Sequence, residues 1–249
     1  MLNIYYKSLT LLWVLSGLWT ALFLTWLALT PLDFGYKFWY QVLGTDQVIN
    51  KYAPRNHHNK QNFIQTNKIE HERLFSEIIV KIHHGGNGLA GITYYDPNGK
   101  RLDLLFTKPE VQHLQDIADI INIMFKFSLA SLILFILLCG WLIRRKKVPK
   151  LRKIALYLGC VILIATIAVF IIGPEKVFYQ LHTWIFPVGH QWFFFFEDSL
   201  MVTLMHGTLL FGMISILWFL FSLLVYLVFV IGMYKLQRIS SIPNDKCQI

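Results

Sequence analysis

Residues 121–153 read INIMFKFSLASLILFILLCGWLIRRKKVPKLRK. The stretch from Ile121 to Ile143 carries one cation, Lys126, close to its start, where a long side chain can reach back to the interface. A hydrocarbon core about 30 Å thick needs roughly 20 helical residues, so this run can cross it. Seven of the next ten residues, Arg144 to Lys153, are cationic. A second apolar run, Ile154 to Ile172, follows and is closed by Gly173-Pro174. Two such runs joined by a short basic hairpin predict a pair of membrane-crossing helices with the hairpin kept in the cytoplasm.

Working outward, Leu9 to Leu29, ended by Pro31, and Gly207 to Met233 are further runs of spanning length. The first is too long for a removed signal peptide and lacks a small-residue cleavage site. Four spans put both termini in the cytoplasm, in keeping with Lys7, Lys235 and Arg238. Composition agrees. Of the 249 residues 55% are hydrophobic and only 15% charged, against about a quarter charged in soluble domains. The net charge of +9 is concentrated in the hairpin, which argues for a topology signal touching anionic headgroups and against nucleic acid. Cys139, Cys160 and Cys247 lie in or beside the spans or in the tail, so no disulfide is expected in the outer loops.

The expected fold class is therefore membrane α-helical: a four-transmembrane-helix bundle capped by a small extracytoplasmic β-rich domain. Residues 1–31 form the first transmembrane helix. Residues 32–120 form the β-rich domain, which ends in a helix. Residues 121–173 hold the second and third spans with their basic hairpin, and residues 174–206 an aromatic interfacial segment. Residues 207–249 are the fourth span and tail. Within 32–120, Ser76 to Ile82, Leu89 to Tyr95 and Leu102 to Phe106 read as strands, with a turn at Asp96-Pro97-Asn98-Gly99. Asn50 to Asn67 reads as an irregular polar loop. Thr107-Lys108-Pro109-Glu110 is a helix start.

On that helix Glu110, His113 and Asp116, spaced by three, share roughly one face. A carboxylate three residues from a histidine can orient it; an ordinary solvated helix surface would look the same. The second outer segment, Phe178 to Trp192 followed by Phe193 to Phe196, is too aromatic for a solvated loop and too short to span. It suits the interface, as a simple anchor or as a wall for a site. An anchor has no need of His182. Histidine pairs His57-His58 and His83-His84 make poor chelates, alone or with His71, so no metal site is expected. His190 and His206 could line a site, but are expected rather to hydrogen-bond in the interface. A Ser199–His182–Asp198 triad is disfavoured, because adjacent serine and aspartate would have to reach opposite nitrogens of one ring.

These two segments resemble the bacterial lipoprotein intramolecular transacylase family, Lit. The carriers are Glu110-Val111-Gln112-His113-Leu114-Gln115-Asp116-Ile117 and Leu181-His182-Thr183-Trp184-Ile185-Phe186, with Trp192 and Asp198. Leu181 and Ile185 stand where the family pattern has aromatics. The resemblance implies a cofactor-free acyltransferase in a bacterial plasma membrane, acting on a diacylglyceryl lipoprotein. It implies His113 and His182 as the catalytic pair, with Glu110, Asp116 and Asp198 in support, and with Trp184, Phe186 and Trp192 facing substrate or lipid. Two other readings remain at this level. A non-enzymatic envelope adaptor would keep the two imidazoles apart, and a transporter subunit would need polar residues inside the spans, which are scarce.

Overall fold

The structure is a computed structural model and describes Leu2 to Ile239; Cys247 and the rest of the tail lie outside the described residues. It is dominated by helices: α1 (Leu2–Leu29), α2 (Tyr36–Val42), α3 (Thr45–Tyr52), α4 (Lys68–His83), α5 (Lys108–Arg144), α6 (Leu151–Ile172), α7 (Pro174–Ile185), α8 (Leu200–Leu204) and α9 (Gly207–Ile239). Four helices are long and apolar enough to cross a membrane, built on α1, α5, α6 and α9. Each expected span is present. The helices outrun the apolar stretches; the 37 residues of α5 extend about 55 Å at 1.5 Å per residue, and the apolar span within it begins near Ile121.

The chain divides into two compact units. The first comprises residues 1–26, 126–177 and 218–249. Its core gathers Trp13, Val14, Ala21, Phe135, Leu138, Tyr226 and Val230. In lipid there is no hydrophobic gain from pairing two apolar helices, so close packing and polar ties must hold them. Gly17 provides the close approach: a Cβ there would meet Phe135 at 2.7 Å and Tyr226 at 2.9 Å. Trp19 Nε1 donates to Ser128 Oγ at 2.9 Å and Trp218 Nε1 to the Leu22 carbonyl at 2.8 Å. Trp13 Nε1 donates to Cys139 Sγ at 3.2 Å, so that cysteine is a packed thiol.

The second unit comprises residues 27–125 and 178–217. Among the described residues its sheet is one two-stranded hairpin, β1 (Thr93–Tyr95) against β2 (Arg101–Leu104), antiparallel, with Thr93 opposite Leu104. The turn is as expected: the Asp96 carboxylate accepts from the amides of Asn98 and Lys100. The β-rich cap is otherwise corrected. Ser76 to Ile82 is not a strand but the second half of α4. Asn67 caps this helix by accepting from the Glu70 amide, and Arg73 pairs with Glu70 and Glu77 one turn to either side. His71, Leu74, Phe75, Ile78, Ile79 and Ile82 are buried on one face, a helical rather than a strand period. Leu89–Gly91 is a 3-10 turn, which leaves only Thr93–Tyr95 of the second expected strand. Asn50 to Asn67 is not wholly irregular either: α3 runs to Tyr52, and Ala53–Arg55 and Gln61–Gln65 form 3-10 turns.

Tyr36 stacks on Phe75 at 3.9 Å in the core of this unit. His71 is buried there with both nitrogens engaged, Nδ1 with the Tyr40 hydroxyl at 2.9 Å and Nε2 with Thr66 Oγ1 at 2.6 Å.

Two measurements check this packing. Gly17→Leu should lower the thermal midpoint in detergent, by the equivalent of about 1–3 kcal/mol expected of overpacking, while Gly140→Leu, which has open space around it, should not. Burial pulls the His71 pKa from 6.5 down to about 4. Between those values the unfolded chain takes up a proton that the folded chain refuses. Stability from this group is therefore complete above about pH 6.5 and falls as the pH drops toward 4, by on the order of 3 kcal/mol. His71→Gln should flatten that part of the stability–pH curve.

Candidate active site

All the residues singled out from sequence as candidate site residues belong to the second unit. The start of α5 is built around Glu110. Its Oε2 accepts from the Thr107 amide at 2.6 Å and the Thr107 hydroxyl at 2.7 Å, closing the helix N-terminus as the Thr-Lys-Pro-Glu text suggested. Its Oε1 accepts from Ser199 Oγ at 2.6 Å and the Met201 amide at 3.2 Å. Ser199 caps α8, with its Oγ accepting from the Val202 amide. One carboxylate, 0% exposed, thus lies against the first turns of two helices, where backbone N–H groups and helix dipoles favour negative charge. Glu110 is a clamp and does not hydrogen-bond to His113.

His113, one turn further along α5, is buried. Its ring packs against Phe186 at 4.7 Å and Phe194 at 5.9 Å, and its buried Nδ1 has no hydrogen-bond partner among the described residues. This part of α5 precedes the apolar span. Burial, with a lesser contribution from His182, pulls the His113 pKa from 6.5 down to about 4, and Asp116 partly opposes the shift. His113 is therefore a neutral imidazole at working pH.

His182 sits near the end of α7, which folds the first part of the expected interfacial segment into a helix. Its Nδ1 lies 2.8 Å from the Phe178 carbonyl. A carbonyl can only accept, so Nδ1 carries a hydrogen, and in the neutral tautomer Nε2 is the acceptor nitrogen. The ring packs on Phe178 at 3.9 Å, Trp192 at 5.1 Å and Phe186 at 5.3 Å. Phe186 touches both imidazoles, so the two histidines come together at a single phenyl ring.

The remaining sequence candidates separate. Phe186 and Trp192 wall the histidines, whereas Trp184 is 74% exposed. Asp116 lies 2.8 Å from His190 Nδ1 and accepts from Gln112 Nε2 at 3.1 Å. It influences His113 by charge alone and does not orient it through a hydrogen bond. Asp198 pairs with His57 Nδ1 at 2.7 Å rather than with His182. With Ser199 bonded to Glu110, the triad geometry is absent. Of the interface histidines, His190 has its expected hydrogen bond, while His206, at φ +52°, has a buried Nδ1 without a partner among the described residues. No group of three or more potential metal ligands occurs among the described residues. His83 and His84 contact carbonyls of their own helix through Nδ1, at 2.8 and 2.7 Å.

The Glu110 clamp gives a stability prediction. Glu110→Gln puts amide hydrogens against the backbone N–H of either Thr107 or Met201, which can only donate, and should cost about 3 kcal/mol. Ser199→Ala, which removes a cap and one donor, should cost about 1–2 kcal/mol. Thermal unfolding of the detergent-solubilised protein measures both, and the two losses should fall short of adding in the double variant.

Comparison with known proteins places the chain in a family. The chain resembles the in meso structure of the membrane-integral lipoprotein intramolecular transacylase Lit from Bacillus cereus, with a TM-score of 0.62 and 18% identity, covering 96% of each chain. A histidine-to-arginine variant of the same Bacillus cereus protein aligns with a TM-score of 0.64 and 18% identity, over 96% of this chain and 93% of that one. At this identity the likeness establishes the fold, a multi-pass membrane protein. No curated protein matches. The family model described as lipoprotein intramolecular transacylase Lit matches residues 9–208. The chain belongs to the lipoprotein intramolecular transacylase family Lit and is a membrane acyltransferase for lipoproteins.

Proposed function

We propose that the enzyme moves the sn-2 acyl chain of a diacylglyceryl lipoprotein to the amine of that lipoprotein's own N-terminal cysteine, using His113 and His182. The observation that carries this reading is the shared contact on Phe186, at 4.7 Å from one imidazole and 5.3 Å from the other. Donor ester and acceptor amine are already tethered in one molecule, so the protein's main task is to orient them.

The amine nitrogen attacks the ester carbonyl carbon, and the C–N bond forms as the carbonyl π pair moves to oxygen. His182 Nε2, whose lone pair is left free by the Nδ1–H bond to Phe178, takes a proton from the attacking nitrogen. It returns that proton to the sn-2 oxygen as the C–O bond breaks. The products are an amide and a glyceryl hydroxyl, with no net proton change from the free amine. Neutral His113 supplies an N–H donor to the oxyanion. An imidazole held neutral by its surroundings is suited to this electrophilic role, because it need not lose a charge to reset. The apolar rings of Phe186, Phe194 and Trp192 keep the site dry, which strengthens that hydrogen bond.

The basic hairpin supports placing residues 32–120 and 174–206 on the extracytoplasmic face of the bacterial plasma membrane, with both termini in the cytoplasm. Membership of an enzyme family removes the reason for the adaptor and transporter readings.

The test is conversion of a synthetic diacylglyceryl lipopeptide, followed by mass spectrometry. His113→Ala and His182→Ala should each lower the rate by about 10²–10⁴-fold, the range for a lost acid–base group, with thermal midpoints near wild type. N-acylated product at wild-type rate from both variants would dispose of the assignment.

A further inference from the structure

The segment from Phe186 to Phe194 carries the rings that wall both histidines, yet it is irregular after α7 ends at Ile185. It turns at Gly189, φ +90°, with the His190 amide bonded to the Pro187 carbonyl. Hydrophobic burial by itself is non-directional and fixes the position of such a segment less sharply than a polar contact does. A polar tie crosses from it to α5: His190 Nδ1 to Asp116 Oδ2 at 2.8 Å. Asp116 is only 8% exposed, and its other oxygen is held by Gln112. It sits one helical turn beyond His113, on the same face of α5. The tie therefore fixes the middle of the aromatic segment against the helix that carries His113. Phe186 and Trp192, four and two residues away in the chain, are thereby set against His182 as well.

We propose that His190, bonded to Asp116, is a positioning residue for acyl transfer: it seats the Phe186–Phe194 segment so that the two imidazoles stay aligned on a common ester. The inference rests on the assignment of His113 and His182 above, and it gives Asp116 a role different from orienting His113. His190 need not touch the substrate. Misalignment of reacting groups by about 1 Å can cost on the order of a hundredfold in rate, so a loosened segment would depress turnover without unfolding the protein.

The experiment uses the full-length protein in nanodiscs with a synthetic diacylglyceryl lipopeptide, measuring kcat, KM and thermal midpoint. The variants are His190→Ala, His190→Gln, Asp116→Asn and the double Asp116→Asn/His190→Ala, with His113→Ala and His182→Ala alongside. His190→Ala and Asp116→Asn should each lower kcat by about tenfold or more. The double variant should be no slower than the worse single, because both remove the same tie. Glutamine at 190 keeps an N–H donor and should recover most of the activity, which a lost packing volume would not explain. Wild-type turnover in His190→Ala overturns the inference, as does His190→Gln no faster than His190→Ala, or two single losses that multiply in the double. Failure of the underlying reading looks different: His113→Ala and His182→Ala would then both remain active, whatever the His190 variants do.

Discussion

A carboxylate removed from water must be fully satisfied or it costs several kcal/mol. Glu110 meets that demand with donors from its own helix start and from the start of α8. Because Ser199 lies 89 residues from Glu110 in the chain, satisfying the carboxylate also fixes the register between the two helix starts. His113 is displayed one turn after the clamp, and the aromatic segment leads into its other end. The frame set by one buried carboxylate carries the His113 ring, which meets the His182 ring at Phe186 without a hydrogen bond between them.

The polar groups around the site divide their work. Glu110 and Ser199 join helices, and Asp116 and His190 join a segment to a helix. Asp198 and His57 form a half-exposed pair, for which solvent screening leaves little contribution to stability. His182 bonds to its own helix through Nδ1, which frees the other nitrogen. His113 is left with no partner on its buried nitrogen among the described residues, and its surroundings disfavour the charged form. Transfer of an acyl chain asks for one imidazole able to accept a proton and another able to donate a hydrogen bond while neutral. The two environments differ in that sense.

Much of the architecture was legible in the residues. The spans stand out because nothing but lipid tolerates runs such as Ile154 to Ile172, and the helix start at Thr107 to Glu110 is written in local chemistry. The strand reading of Ser76 to Ile82 failed because β-branched residues there mimic a strand. The helical period emerges only when His71, Leu74 and Phe75 are counted, and the Asn67 cap lies nine residues upstream of the misread window. His113 and His182 could be picked out by type, by placement beside the spans and by resemblance. Their neighbours' partners could not. Asp116 looked close to His113 in sequence, but its partner His190 lies 74 residues away. Spacing along one helix reports which residues share a face, and it is silent on what packs against that face. His190 stood out by type, but nothing in its own surroundings named Asp116 as its partner.

The central claim, that one ester lies between two imidazoles, is tested most directly by a structure with a bound lipopeptide whose sn-2 ester is replaced by an unreactive amide. The account predicts the amide carbonyl oxygen within hydrogen-bonding distance of a His113 ring nitrogen, and the peptide amine within such distance of His182 Nε2. Finding the sn-2 carbonyl seated elsewhere, with Phe186 packed unchanged between two empty imidazoles, would contradict it.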